Sequence, residues 1–314
     1  MLKIAAQRIV GMIGSSLVAS FAVFGAVYLA PGDPITFLTG GHPVAPETLA
    51  SIRDQYHLND PFLVRYWDWL VGIMHGNLGI SISSQENVST LLASRIPNSL
   101  FLIGYASILI LVFGICSGVV AGISRRSVDN LITYAGTIGL AIPGFVAAIV
   151  LIMIFAVQLH WFPVFGAGTG IGDQLWHMTL PATALALSSS AYLSRVTRVA
   201  TREQLGLEHV ETARSRGLSP WNVVSRHVVR NALIPITTAA GLVVAGLIAV
   251  SAVIEKVFGI DGVGGLLVSS AENKDFPVVQ AATLLLVAFF LLVNMIVDIL
   301  YTLVDPRLRL TKVV

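Results

Sequence analysis

Four lysines, Lys3, Lys256, Lys274 and Lys312, are where nucleotide chemistry would have to show itself. None follows a glycine, so the chain has no G-x-x-x-x-G-K-[ST] loop to cradle phosphates. Zinc peptidase chemistry needs H-E-x-x-H and nucleophile-elbow hydrolysis needs G-x-S-x-G; both are absent, and no Ser/His pair stands at a credible spacing. The single cysteine, Cys116, lies in an apolar run, which excludes an intrachain disulfide and a Cys-based metal cluster. His160 and His177 are scattered and read as interfacial residues rather than ligands. The expectation is a chain with no catalytic residue, no metal site and no cofactor of its own.

Polar chemistry gathers instead in one stretch, Arg202 to Pro235. From about Glu208 to Arg216 it suits a helix with acids early and arginine late, matching the helix dipole. Gly217 can take the left-handed conformation that ends a helix. Ser219 is then an N-cap with Pro220 at the first helical position, opening a second helix two residues later. Glu211, Thr212, Ala213, Arg214, Arg216, Gly217, Leu218, Ser219 and Pro220 therefore form a rigid, basic, protruding corner. Fewer signals mark the apolar segments. Pro143 and Gly144 interrupt one of them, where a helix can bend or face a cavity. Gly241 and Gly246, with Ala239, Ala240 and Ala245, allow close helix packing. Asn294 and Asp298, four apart, share a helix face, and Asp298 reads best as pairing with an arginine near the inner end.

The elements that must position these residues follow from composition. Of 314 residues, 55% are hydrophobic and 11% charged, and mean hydropathy is +0.82. Soluble domains give about a quarter of their residues to charge, so this is an integral membrane protein. A spanning helix needs about 20 apolar residues. Six stretches qualify: Ile9–Ala30, Asn98–Gly122, Leu131–Gln158, Met178–Ser194, Leu233–Ile254 and Val278–Leu303. The first is too long for a signal h-region and is read as an uncleaved span. Placing the N-terminus inside puts 14 of the 19 Lys/Arg on inner segments (1–8, 123–130, 195–232 and the tail), with 5 acids, against 5 basic residues and 11 acids outside. Both termini are then cytoplasmic. Within the long outer segment, Asp60 is an expected N-cap with Pro61 at the first helical position. Phe62, Tyr66, Trp69, Leu70 and Ile73 recur at helical spacing as far as Gly76, an interfacial helix. The expected division is 1–97, first span and outer segment; 98–306, the core of five spans with the loop at about 200–232; and 307–314, a cytoplasmic tail.

Glu211-Thr212-Ala213, Gly217 six residues after the Glu, and Leu233-Ile234-Pro235 resemble the "EAA" loop of bacterial ABC importer permeases; Thr212 stands where alanine is commonest. Glu255 to Leu267, Asp275-Phe276-Pro277-Val278-Val279-Gln280, and Asn294, Asp298, Tyr301 with Asp305-Pro306-Arg307-Leu308-Arg309 are similar to later segments of that family. Ala30-Pro31-Gly32-Asp33-Pro34 and the stretch from Asn59-Asp60-Pro61 to Gly76-Asn77-Leu78-Gly79 resemble the first permease of its dipeptide/oligopeptide/nickel branch. The resemblance covers essentially the whole chain. It implies an all-α, six-span fold of the type I importer permeases in the bacterial inner membrane, half of a pore. It also implies a second homologous permease, two ATP-binding subunits that hold ATP and Mg2+, an external solute-binding protein, and a peptide as solute. Glu211, Thr212, Ala213 and Gly217 would be the element the ATPase drags, with Arg214 and Arg216 as rim contacts. Relatives also carry nickel chelates, glutathione or sugars. The competing class is an ion-coupled secondary transporter, which usually needs ionisable groups near mid-membrane and paired broken helices; here only Asp298 is available, and it is off centre.

Overall fold

The computed structural model describes residues 2–29, 47, 50 and 60–304, with the side chains of 2–9, 27 and 298–304 left out. The expected motifs at 30–34 and 305–309 and the Asp298 and Tyr301 side chains lie outside the described residues. Ten helices are named here: α1 (Leu2–Leu29), α2 (Phe62–Met74), α3 (Val88–Ile123), α4 (Arg126–Ala141), α5 (Gly144–Leu151, continuing as a π-turn stretch Ile152–Gln158), α6 (Ile171–Leu205), α7 (Glu208–Ser215), α8 (Pro220–Val257), α9 (Val263–Glu272) and α10 (Phe276–Val304). Among the described residues there is no strand, only an isolated bridge between Ile80 and Asn87.

The chain divides into two compact units, residues 1–99 with 261–291, and residues 100–260 with 292–314. In the first unit, Phe21, Phe24 and Tyr28 of α1 meet Phe62, Tyr66 and Trp69 of α2 with ring centroids 5.0 to 5.6 Å apart. Tilted and edge-on arrangements of this kind bury large apolar area while satisfying the ring quadrupoles. Tyr66 Oη and Ser20 Oγ share a hydrogen bond of 2.9 Å. Pro61, not Asp60, is the N-cap of α2: its φ of −56° and ψ of 145° keep it outside the helix, and its carbonyl accepts from the Val64 and Arg65 amides. A separate core joins Val88 and Leu92 to Val263, Leu266, Val278, Ala281 and Ala282. Buried Asp275 fastens the 81–84 turn, accepting from Ser81 Oγ and the Ile82 and Ser83 amides.

The second unit is organised around α6. This helix runs 35 residues, far beyond the expected Met178–Ser194. It is too polar to count as a membrane span by hydropathy; the described helices that do are α3, α8 and α10, with α4 and α5 as a fourth if they are one broken span. Polar content is admissible in α6 where protein covers it, as at Ser194, Thr197 and Thr201. On one side stands α3, whose Gly114, Gly118 and Gly122 recur every four residues. A Cβ on Gly118 would lie 2.5 Å from Thr197 Cβ and 2.6 Å from the Ser194 carbonyl oxygen; one on Gly122 would lie 2.7 Å from Thr201 Cβ. Only glycine permits that approach.

On another face of α6 lies α4. The expected single span Leu131–Gln158 is two helices meeting at 101°. Proline explains the break: Ile142 is pushed into the extended region (φ −86°, ψ 118°) as residues before proline are, and Pro143 becomes the N-cap of α5. Gly144 is not needed for the bend, since a Cβ there meets nothing within 4 Å. Of the two glycines read as packing sites in α8, Gly241 is one: a Cβ would fall 2.1 Å from Val297 Cγ1. Gly246 faces open space.

Gly118→Val should therefore part α3 from α6 and lower stability by about 1–3 kcal/mol, the usual cost of overpacking. Gly246→Ala should stay within about 0.5 kcal/mol of the native chain. Thermal unfolding in one detergent, read for both variants, checks the contrast.

Candidate functional site

The α7 corner forms as its residue types require. Leu207, extended (φ −89°, ψ 146°), precedes α7, and Glu208 and Glu211 occupy its first turn. At the other end Gly217 has φ +75°. Its amide donates to the Arg214 carbonyl at 2.9 Å and the Leu218 amide to the Ala213 carbonyl at 3.3 Å. Those two bonds are the Schellman closure, which consumes orphan carbonyls at a helix end. Ser219 is the N-cap of α8, accepting from the Asn222 amide, with Pro220 behind it.

Beyond Pro220 the chain departs from expectation. No boundary separates a short second helix from the following span. Through the π-turn stretch Val223–Val229 the backbone passes straight into Arg230–Val257, giving one helix of 38 residues. The corner is thus the end of a long rod.

The corner has a dry underside and a wet top. Val210, Ala213, Val223 and Val228 are buried together, with Leu205 of α6 against them. Ala213 therefore holds the corner from within. Glu211, Thr212, Arg214, Arg216, Gly217, Leu218, Ser219 and Pro220 are exposed. Trp221, which the sequence reading passed over, is 77% exposed. It stands just inside the capped start of α8, beside exposed Leu218. His209 and Asn231 stitch the two arms, Asn231 Nδ2 reaching the His227 carbonyl at 2.8 Å and lying 3.1 Å from His209 Nε2.

Beside the corner sits a cluster that the sequence reading also missed. Asp129, in the first turn of α4, is buried, and Arg198 of α6 grips its carboxylate with Nε on Oδ1 and Nη2 on Oδ2, the latter at 2.7 Å. Arg202 adds Nη2 to Oδ2 at 2.7 Å. Hydrogen bonding from Arg198 holds the Asp129 carboxyl down at about 2, against the desolvation that would raise it, and the positive field of both arginines adds to the effect. The same contact raises Arg198. The signal for this cluster was an acid in an otherwise basic corner, 125–130, with Arg198 and Arg202 one turn apart.

The remaining expected pathway residues do not converge into a site. Pro143 and Gly144 mark the α4–α5 break, Asn294 is half-buried on α10, and Asp298 falls outside the described side chains. His177 pairs with Asp173 Oδ1 at 3.2 Å, near the start of α6.

With this geometry in hand, comparison with known proteins is specific. Residues 114–310 match the family described as binding-protein-dependent transport system inner membrane component, and residues 1–103 match its N-terminal companion. The chain is 34% identical over 310 residues to the glutathione transport system permease protein GsiC of Escherichia coli, covering 98% of this chain and 99% of that one. It is 35% identical over the same length to the protein of that name from Salmonella typhimurium. Among solved structures, an inward-facing form of the MetNI methionine ABC transporter superposes with a TM-score of 0.57 at 18% identity, covering 68% of this chain and 96% of that one. A second crystal form of it gives 0.55 at 19%, with the same coverage.

Two consequences can be measured. Ser219→Ala should cost about 1 kcal/mol through the lost cap, and Gly217→Ala about 1–2 kcal/mol for a left-handed side chain; protease nicking of the corner in the purified protein reads both. The Asp129 group is lowered on folding, so its stabilisation is complete above the ordinary carboxylate range and lost as pH falls from near 4 towards 2. Asp129→Asn should flatten that limb of the acid unfolding curve.

Proposed function

We propose, since the chain belongs to the family of binding-protein-dependent transport system inner membrane components, that it is the importer permease for a small peptide and that the α7 corner is where a separate ATPase pushes. The protein is a multi-pass component of the bacterial inner membrane and a permease subunit of the ABC importer type, a transport protein rather than an enzyme. The observation that carries the coupling role is the corner itself. Its top is a solvated set of unlike groups (Glu211, Thr212, Arg214, Arg216, Leu218, Trp221), and its underside is packed against the ends of α6 and α8. A partner that moves this element moves two long helices with it.

In this reading the six stretches of the sequence are six crossings with both termini cytoplasmic. Energy arrives from two ATP-binding subunits that hold ATP and Mg2+, because this chain carries no phosphate loop. A second permease completes the pore, and an external binding protein delivers the solute. Glu211 and the two arginines give the corner both signs of charge for pairing across the ATPase groove; Trp221 offers the apolar anchor that interface centres favour. Asn294 and Asp298 line up on α10, while Pro143 sets the bend of α4 into α5. Di- or oligopeptides are the solute class. Glutathione, itself a tripeptide, is the specific second candidate, favoured by full-length similarity to permeases named for it.

Pull-down of the tagged chain from its native membrane in mild detergent should bring a second permease, P-loop ATPases and a solute-binding protein, and the ligand in the last names the solute. Recovery of the chain without any ATPase, in conditions that preserve such complexes, would overturn the reading. Gly217→Pro denies the φ of +75° and removes the amide that donates to Arg214. It should insert normally yet reduce uptake by about tenfold or more, the scale of a lost coupling energy. Unimpaired uptake would remove the corner from that role.

A further inference from the structure

The corner cannot be the whole of the coupling device, because something must tie it to the rest of the second unit. Leu205, the residue of α6 that packs under α7, lies on the same helix face as Arg198 and Arg202, the three standing at i, i+4 and i+7. Leu205 is only about 4.5 Å along the axis from Arg202. Displacement of the α7 underside therefore reaches Arg202 within one turn and Arg198 within two. Both end on Asp129, and Asp129 belongs to α4.

Elsewhere the α4–α6 seam carries one long bond to a neutral acceptor, Arg195 Nη2 donating to Thr137 Oγ1 at 3.3 Å, and small-residue contacts. A Cβ on Gly136 or Gly139 would meet Ala191 and Leu187 only at 3.6 to 3.8 Å, ordinary contact with nothing to interlock. Such a seam resists separation more than sliding. A carboxylate gripped along its edge by one guanidinium and met by a second admits one register, because paired N–H···O bonds are directional in a way that methyl contacts are not. Stability alone does not account for burying a charge here: replacing a buried ion pair with well-packed apolar residues is often neutral or stabilising.

We propose that Asp129 is a positioning residue for transport: through Arg198 and Arg202 it passes movement of the α7 corner to α4, and so to the 101° elbow at Ile142–Pro143. The inference rests on the importer reading given above. It adds a specific transmission point outside the corner.

The test uses the whole complex, purified on a tag on this chain and reconstituted in liposomes. A labelled tripeptide library that includes glutathione is the probe, and ATP hydrolysed and peptide delivered are both counted. Asp129→Asn takes away the carboxylate charge of this cluster and leaves arginines that can reach water. It should lower peptide delivered per ATP by about tenfold while hydrolysis stays within about twofold of the native complex. Arg202→Gln deletes one contact of 2.7 Å, leaves Asp129 held by Arg198, and should lower the ratio by about threefold. That second variant decides the matter if Asp129→Asn fails to assemble. A native ratio in both variants overturns the proposal. So does a proportional loss of hydrolysis and delivery in intact complexes, which would make the cluster a stability element only. Failure of the native complex to deliver any peptide with ATP would instead strike the importer reading beneath it.

Discussion

One constraint governs the second unit: α6 needs partners for the polar groups it carries. It carries Ser188, Ser189 and Ser190, then Arg195, Arg198 and Arg202, and lipid offers such groups no partners. The helix answers locally where it can. Thr179 and Thr183 return their hydroxyls to carbonyls four residues back, at 2.6 and 2.7 Å, and Ser194 receives the Ser117 hydroxyl. Thr197 and Thr201 are left without partners for their hydroxyls, wholly buried where α3 presses in with Gly118 and Gly122. An unmet buried hydroxyl costs about 1–3 kcal/mol. The close approach of α3 is maintained against that penalty, which shows how strongly the glycine seam determines the position of α6.

The corner solves the opposite problem. It must stay fixed while its outer surface remains in water. A turn of four residues, 216–219, between helices leaves little backbone freedom, and the residues there divide the work. Gly217 supplies the left-handed step, Leu218 closes the hydrogen bond to Ala213, Ser219 caps the next helix and Pro220 starts it. With four buried aliphatic side chains beneath, α7 cannot tilt without carrying the ends of α6 and α8. The π-turn stretch after Pro220 keeps α8 continuous, so the corner and the apolar helix beyond it are one mechanical piece.

Much of this was legible in the sequence, and the division is instructive. Caps and helix breakers act within a few residues, so Gly217, Ser219, Pro220 and Pro143 declared themselves. Asp60 misled because Pro61 has the extended ψ of a cap and takes that place itself. Span lengths were misjudged where apolarity and helicity part company: α6 continues well past its apolar segment because arginines with partners do not end a helix. The elbow was visible as a proline, but its 101° could not be, since a proline says where a helix breaks and tertiary packing says how far it turns. Gly114, Gly118 and Gly122 were readable as a four-residue repeat of small side chains and were passed over in favour of Gly241 and Gly246, of which only the first packs closely. Asp129 was counted as one acid in a basic corner. Nothing in its neighbours in sequence reveals that its partners lie some 70 residues away.

The placement of that ion cluster has its own logic. At mid-membrane a lone carboxylate would take up a proton or draw in water, since isolation in a medium of low dielectric penalises the charged form severely. In open solvent the same pair would contribute little, because exposed ion pairs are screened and entropically costly to hold. Asp129 sits between these limits, at the beginning of α4, where the helix dipole also favours an anion. Its side chain is 5% exposed, whereas those of Arg198 and Arg202 are 24% and 44% exposed. The arginines thus keep part of their hydration, the carboxylate keeps its donors, and the geometry stays directional. A hydrophobic contact at this point could hold α4 to α6 as firmly, but it could not fix which turn of one helix meets which turn of the other.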